Sequence, residues 1–129
     1  MNQSKVPFIM YELDKPRTAK LSTGASFKIR RLGINLLGLV QNAKTIMSNM
    51  DIPFEEICII LWACMEKEDS DLTPEIVGDL IQDYSSMMDA FTKVLELVNN
   101  SMPFITGISK EELDNKVKEY EGKNLIPLE

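Results

Sequence analysis

Nine consecutive apolar residues, Ile57 to Met65, constrain the fold of this chain more than any other stretch of its sequence. The run is far shorter than the ~20 residues that cross a bilayer, so it predicts a buried core element instead. Its β-branched Ile59 and Ile60 would also suit a buried strand, and the run alone does not decide between the two. Its length and its flanking residues favour a helix from about 52 to 67.

The residues before the run carry the signals of a helix start. Asp51 is a good N-cap, because its carboxylate can accept a hydrogen bond from a free backbone N–H of the first turn. Pro53 falls within that first turn, where its missing N–H costs nothing. Glu55 and Glu56 favour the positive end of the helix dipole. We therefore expect the central helix to begin near Asp51.

Helical signals also flank this centre on its N-terminal side. Ser22 or Thr23 can cap a helix through residues 25–32, which Gly33 would end. Residues 35–50 are predicted to be helical as well. The expected inward residues of the first of these helices are Phe27, Ile29 and Leu32.

Two more helices are expected after the apolar run. Thr73 caps the first, with Pro74 at its first position, and the helical pattern continues through Gln82. Its expected inward stripe is Ile76, Leu80 and Tyr84, with Val77 and Ile81 beside it. The second begins at Ser85 or Ser86 and ends at the pair Asn99-Asn100. Its apolar stripe consists of Met87, Phe91, Val94, Leu95 and Val98.

A last helix is predicted near the C-terminus. Ser109 and Glu112 have the spacing of a capping box, and Ile108 with Leu113 has that of a hydrophobic staple. A helix of this length is marginal in water on its own, so it docks on the core, docks on a partner, or stays partly frayed. Its apolar face consists of Leu113, Val117 and Tyr120.

These elements predict a mainly α fold of about five to six helices. Residues 1–22 form an extended segment or a short hairpin, with a turn at Asp14 to Arg17 and prolines that suit an edge pair. Residues 23–104 form the helical core, and residues 105–129 form the amphipathic C-terminal helix and tail.

Charge divides the chain into two unequal halves. The net charge is −6, but residues 1–44 hold eight basic and two acidic residues, whereas residues 45–129 hold six basic and eighteen acidic ones. Two explanations compete. The halves attract each other within one fold or between copies, or the basic half binds nucleic acid. Scattered basic residues on a chain of pI about 4.7 favour the first explanation.

Residue types argue against enzymatic chemistry. The chain has no histidine, which excludes histidine triads and histidine metal sites. Cys58 and Cys64 are too far apart on one helix for a disulfide and are expected to be buried, reduced thiols. The acidic cluster of residues 66–71 fails the calcium-loop pattern, because Pro74 and Leu80 occupy required positions, so we expect a solvated loop. We expect no enzyme, no cofactor and no metal.

Trp62 and six of the eight methionines have two interpretations each; the methionines are Met47, Met50, Met65, Met87, Met88 and Met102. Trp62 either fills the core, which its place in the apolar run favours, or anchors a protein interface. The methionines are core filler or an adaptable binding surface. Residues 1–10 lack the apolar core of a signal peptide, so we expect a soluble, intracellular protein without a membrane partner.

The pattern of residues 11–104 resembles the tail assembly chaperones of long-tailed bacteriophages and related prophages. The last matching piece is the most specific, and none of the pieces is catalytic. The matching pieces are Tyr11 to Arg17, Gly24 to Leu36, Phe54 to Ile57 with Leu61 to Ala63, and Glu68 to Ile81.

This resemblance implies a small, mostly helical chaperone without enzymatic activity. Members of the family hold the tape measure protein soluble and help tail tube subunits polymerise in the host cytoplasm, without entering the virion. The implied partners are therefore the tape measure protein, the tail tube protein and further copies of the chain, with no nucleic acid. The alternative function is a small helical regulatory or DNA-associated protein that uses its basic N-terminal half. The candidate partner-binding residues are Tyr11, Arg17, Leu113, Val117 and Tyr120.

Overall fold

The computed structural model of this chain describes residues 7–106. Over that range the fold is mainly helical and begins with a two-stranded antiparallel hairpin, which confirms the predicted fold class. The elements are β1 (Phe8–Glu12), β2 (Pro16–Lys20), α1 (Thr23–Arg31), α2 (Leu36–Gln41), α3 (Ala43–Asn49), α4 (Phe54–Met65), α5 (Pro74–Tyr84) and α6 (Met87–Thr106).

The N-terminal segment forms the hairpin rather than a single extended strand. Side chains alternate along both strands, so that Ile9 and Tyr11 of β1 lie on the buried face with Arg17 and Ala19 of β2. The register pairs Tyr11 with Arg17. This face packs on the helices, with β1 against α6 and β2 against α4. The hairpin is therefore an integral part of the core.

The apolar run forms the central helix α4, as its length and flanks predicted. Seven of its residues are buried, and it packs against α1, α5, α6 and β2. The predicted start was wrong, since Pro53 is the N-cap residue and Asp51 makes no capping bond. The backbone N–H of Asp51 donates to the carbonyl of Ile46 at 3.0 Å. Asp51 therefore belongs to the end of α3, two residues before the N-cap position of α4.

Helix α1 has the predicted cap and the predicted stop. The Ser22 hydroxyl accepts from the backbone N–H of Ala25 at 3.1 Å. Gly33 has a φ of 85°, and the N–H of Ile34 donates to the carbonyl of Ile29 at 3.2 Å. This is a Schellman ending, which needs a residue that tolerates left-handed backbone at the position of Gly33. The chain thereby turns sharply from α1 towards α2.

The inward faces of α1 and α5 were only partly predicted. In α1 Ile29 is fully buried, but Phe27 is 56% and Leu32 54% exposed. Side chains two positions apart on a helix point in directions that differ by roughly 200°, so Phe27 must face away from the core when Ile29 faces it. In α5 the buried residues are the two that were expected to lie beside the inward stripe. The two end residues of the predicted stripe itself are exposed. The buried pair is Val77 and Ile81, and the exposed ends are Ile76 and Tyr84.

Residues 35–50 form two short helices with a break at Asn42. The Asn35 side chain caps α2 by accepting from the N–H of Gly38 at 3.1 Å. Helix α3 ends at Asn49, and the next residue, Met50, has a left-handed φ of 55°. None of the residues of α3 is fully buried. These two helices therefore lie at the edge of the core.

Helix α6 is longer than predicted, because it continues past Asn99 and Asn100 to Thr106. Its buried face does not stop at the asparagines, since Val98 and Ser101 are both buried. Continued packing of this face outweighs the modest helix propensity of asparagine. The rest of its buried face is Ala90, Phe91, Val94 and Leu97.

Candidate partner-binding surface

Arg17, a predicted partner-binding residue, is held by two carboxylates of its own chain. Its guanidinium donates two bonds to Asp14, of 3.0 and 2.9 Å, and a further nitrogen lies 3.0 Å from a carboxylate oxygen of Asp69. The hydrogen bonds from Arg17 lower the pKa of Asp14 below its ordinary value. Only 7% of Arg17 is exposed. Its observed role is to join the hairpin to the loop after α4, and its role in partner binding stays a prediction.

Tyr11, the register partner of Arg17, is also directed inwards. It is 2% exposed, and its hydroxyl is hydrogen-bonded to the hydroxyl of Ser85 at 2.7 Å. Burial raises the pKa of Tyr11 above its ordinary value. The ammonium of Lys93 lies 5.9 Å from the ring centroid. The structure thus brings Tyr11 and Arg17 together at the hairpin, where little of either side chain faces solvent.

The acidic loop, residues 66–71, is fastened to the basic N-terminal half. Glu68 accepts from Lys20 at 3.2 Å, Asp69 pairs with Arg17, and Glu66 pairs with Lys28. Three carboxylates that were expected to be solvated are therefore in ion pairs between the two halves of the chain. These contacts agree with the explanation that the halves attract each other within one fold.

Trp62 lies beside this loop and is partly buried against the core. Its indole N–H donates a hydrogen bond of 3.0 Å to the carbonyl of Leu72. This bond connects the residues on the two sides of the acidic loop. The ammonium of Lys28 lies 4.7 Å from the centroid of the Trp62 ring, within the range of a cation–π interaction. Trp62 therefore joins α4 to the start of α5 and to α1, which supports the structural interpretation of this residue.

Both cysteines are buried and unpaired, as predicted. Burial raises the pKa of Cys58 to about 11 and that of Cys64 to about 12. A thiol reacts as its thiolate, so these values indicate inert side chains at neutral pH. Within residues 7–106 no group of three or more metal-ligating side chains is placed to hold a metal ion.

Among the described residues, a groove with a volume of about 630 Å³ lies between α1, α2 and α6. Its floor is apolar and consists of three buried residues, one before α1, one in α1 and one in α6: Leu21, Ile29 and Val98. The sharp turn after α1 supplies one wall through Gly33 and Ile34, and α2 supplies the next. The lining from α2 is Leu36 and Leu37.

The rim of the groove is basic and partly apolar. Arg30 lines it from α1, and Arg31 follows on the same exposed surface of that helix. Neither arginine forms an ion pair within the described part of the chain. Leu37 is 46% exposed at the opposite wall. An apolar floor between exposed leucine and arginine suits an amphipathic helix that carries carboxylates beside its apolar stripe.

Sequence reasoning missed the groove residues. The signal was present in Ile34, Leu36 and Leu37, three apolar residues within four positions after a helix-ending glycine. Leu36 and Leu37 were assigned to a helix, but which of them faces solvent depends on how α2 packs on α6. The other predicted partner-binding residues, Leu113, Val117 and Tyr120, lie outside the described residues.

Comparisons with known proteins add no relative. The chain matches no protein-family model, no curated protein and no solved structure. Among residues 7–106 no helix is both long and apolar enough to cross a membrane.

Proposed function

We propose that this chain is a non-enzymatic tail assembly chaperone of a long-tailed bacteriophage or prophage. It binds the tape measure protein in the host cytoplasm, assists polymerisation of the tail tube around it, and is absent from the finished virion. The observation that carries the proposal is the groove. Its walls come from residues 26–37, and the sequence piece Gly24 to Leu36 is one of those that resemble this family.

The groove suits the chemistry that such a partner would offer. A long helical protein that aggregates alone exposes apolar stripes along its helices, and a chaperone must cover them. Helix-in-groove binding places the apolar face of an amphipathic helix on an apolar floor. Here Leu37, which is 46% exposed above the buried Ile29 and Val98, offers the accessible apolar contact, and Arg30 can pair with carboxylates that flank the stripe. An acidic chain of net charge −6 also stays soluble while it holds such a partner.

Co-expression with the long coiled-coil protein encoded just downstream tests this proposal. The wild-type chain should keep that neighbour in the soluble fraction and co-purify with it. Leu37→Asp should lower the co-purified amount by about tenfold or more, because burying a leucine side chain contributes about 1.5–3 kcal/mol and 1.4 kcal/mol is a factor of ten. Loss of solubilisation should accompany the loss of binding.

Ile76→Asp is the matched control. Ile76 is 42% exposed on α5, which contributes no residue to the groove, so this variant should behave like the wild type. A downstream protein that stays insoluble with the wild-type chain would contradict the chaperone function. Equal losses in both variants would contradict the assignment of the groove as the binding surface.

Ion pairs among the described residues argue against the alternative, a DNA-associated protein. Arg17, Lys20 and Lys28 of the basic half are engaged with the acidic loop. We therefore expect the full chain to show no salt-dependent affinity for duplex DNA in a fluorescence-anisotropy titration. Binding that weakens steeply with added salt would favour the alternative instead.

A further inference from the structure

Helix α1 carries a large apolar side chain on the side opposite the core. Phe27 is 56% exposed and lies two positions from Ala25 and from Ile29, the buried residues of this helix. Two positions correspond to roughly 200° around a helix, so the ring of Phe27 points away from its own fold. Arg31 lies one turn later on the same side, because residues four positions apart are neighbours on a helix surface. Phe27 and Arg31 together form the outer face of α1.

The outer face of α1 is separate from the groove. Neither of its two residues lines the groove, which Arg30 borders on the adjacent side of the helix. Arg31 is exposed and forms no ion pair within the described part of the chain. Aromatic residues and arginine are enriched in the contact surfaces between proteins. The outer face is therefore a candidate contact surface of its own.

An acidic cleft of about 420 Å³ lies between β1, the end of α5 and α6. Tyr84 lines it from α5, and Tyr11 and Glu12 line it from β1. The accessible apolar surface is the ring of Tyr84, which is 57% exposed, whereas Tyr11 is 2% exposed. The lining from α6 is a row of side chains at helical spacing: Asp89, Thr92, Lys93 and Glu96. The cleft thus offers one exposed aromatic ring beside a polar wall.

The side chains that line the acidic cleft carry a net charge of −2, from three carboxylates and one ammonium. The ammonium of Lys93 is engaged, since it lies 3.5 Å from the carbonyl of Met10 and 3.8 Å from a carboxylate oxygen of Glu96. Glu12 and Asp89 form no ion pair among the described residues. These two carboxylates can therefore accept a cation from another molecule.

We propose that the outer face of α1 on one copy of this chain binds the acidic cleft of a second copy. Phe27 packs against the exposed ring of Tyr84. Arg31 pairs with a carboxylate of the cleft, either Glu12 or Asp89. Each copy offers one surface and accepts through the other, so the contact is heterologous and joins copies head to tail.

The complementarity of the two surfaces identifies a second copy as the occupant. The outer face is apolar and positive, whereas the cleft is concave, partly aromatic and negative. Because Phe27 points away from its own fold, a chain does not fill its own cleft. A nucleic acid would be repelled by the carboxylates of the cleft. The contact requires neither the groove nor a partner protein, so it is independent of the proposed function.

Sedimentation velocity of the full chain, from ~5 to ~500 μM, tests the contact over a range that populates complexes of micromolar Kd. The outer-face variant is Phe27→Asp with Arg31→Glu, and the cleft variant is Glu12→Arg with Glu96→Arg. The wild type should form assemblies larger than a dimer as its concentration increases. Each variant alone should associate with a Kd at least ~10-fold higher, because it places like charges together in the contact.

An equal mixture of the two variants tests the head-to-tail arrangement. The outer-face variant keeps an intact cleft, and the cleft variant keeps an intact outer face. The mixture should therefore form a dimer of one copy of each and no larger assembly, which a symmetric contact would not produce. A mixture that stays monomeric would overturn the proposal. A wild-type chain that is monomeric throughout the range, or assemblies that persist in both variants, would equally overturn it.

Ile76→Asp with Lys44→Glu is the matched control. It replaces an exposed apolar residue and an exposed basic residue, with the same change in net charge as the outer-face variant, and neither residue lines the cleft. This variant should assemble like the wild type. Far-UV circular dichroism verifies folding, and Tyr84→Arg serves as the cleft variant if the double charge reversal does not fold. No partner protein is present, so failure here differs from failure of the co-expression test.

Salt dependence provides a second measurement of the ionic part of the contact. Raising the NaCl concentration from ~50 to ~500 mM should weaken the association of the wild type several-fold, because it screens the pair of Arg31 with the cleft. Association that is unchanged or strengthened by salt would refute the role assigned to Arg31.

Discussion

Replacement of Trp62 by phenylalanine tests whether this residue fastens the acidic loop to the core. The change keeps an aromatic ring but removes the indole N–H, which donates to the carbonyl of Leu72 at 3.0 Å. It also weakens the contact with the ammonium of Lys28, 4.7 Å from the ring centroid. Both contacts join segments that are distant in sequence, so their loss should lower the stability of the whole fold.

The expected magnitude follows from the two contacts. A typical hydrogen bond contributes about 0.5–1.5 kcal/mol net, and an exposed cation–π contact about 0.5–1 kcal/mol. Trp62→Phe should therefore lower the free energy of unfolding by about 1–2.5 kcal/mol. With an unfolding entropy of about 2.1 cal/mol/K per residue, the midpoint should fall by about 4–9 °C. The double change with Lys28→Met should reveal a coupling energy of about 0.5–1 kcal/mol.

Urea unfolding followed by far-UV circular dichroism measures this effect, because the variant lacks the single tryptophan needed for fluorescence. Tyr84→Phe is the control. Tyr84 is 57% exposed, so its substitution should change stability by no more than ~0.5 kcal/mol. A cost for Trp62→Phe that is no larger than that of the control would refute the fastening role. It would favour the interpretation of Trp62 as an interface anchor.

Three further outcomes are expected. Tyr11→Phe removes the 2.7 Å hydrogen bond to Ser85 and should lower the free energy of unfolding by about 0.5–1.5 kcal/mol in urea; no change would contradict the bond. Burial raises the pKa of Cys58 to about 11 and that of Cys64 to about 12. At pH 8 both thiols should therefore react with iodoacetamide at least ~100-fold more slowly in the folded chain than in urea. Comparable rates in the two conditions would contradict their burial. Arg17→Met should destabilise the fold at neutral pH. Because Arg17 lowers the pKa of its carboxylate partner in the hairpin turn, that contribution is complete above about pH 5 and is lost as the pH falls through the lowered pKa, so the two unfolding curves should converge only at pH values below that lowered pKa. A stability difference that is independent of pH would contradict this.

Local signals were sufficient to predict most of the helices. The Ser22 cap, the Gly33 stop and the Thr73-Pro74 start each depend on one or two residues and their own backbone, so they appear in the structure as predicted. The length of the apolar run likewise identified α4. Where a helix boundary depends on contacts within a few residues, the sequence carries enough information to place it.

The misassigned faces and ends depend on contacts between distant segments. Phe27 was placed inwards because it is apolar, yet only packing against α4 decides that α1 turns Ile29 inwards. Asp51 was expected to cap α4, but a backbone bond to α3 engages it. Helix α6 passes Asn99 and Asn100 because its buried face continues beyond them. No local pattern contains these contacts.

The attraction between the two halves of the chain was predicted from the sequence, but the groove was not. Charge counting indicated that the two halves of the chain attract each other, and the ion pair of Lys20 with Glu68 is one contact of that kind. The groove depends on the direction in which the chain leaves α1 and on the docking of α2 against α6. Leu37 became a candidate only when those positions were known.

The proposed function predicts that a long coiled-coil protein is encoded immediately downstream, and co-expression with that protein tests the chaperone function most directly. The measurement is the fraction of that protein in the soluble lysate and in the affinity-purified complex, with wild-type chain, Leu37→Asp and Ile76→Asp in parallel. The proposed function predicts a soluble complex with the wild type and with Ile76→Asp, and its loss with Leu37→Asp. A downstream protein that stays insoluble, or that is soluble to the same extent without this chain, would contradict it.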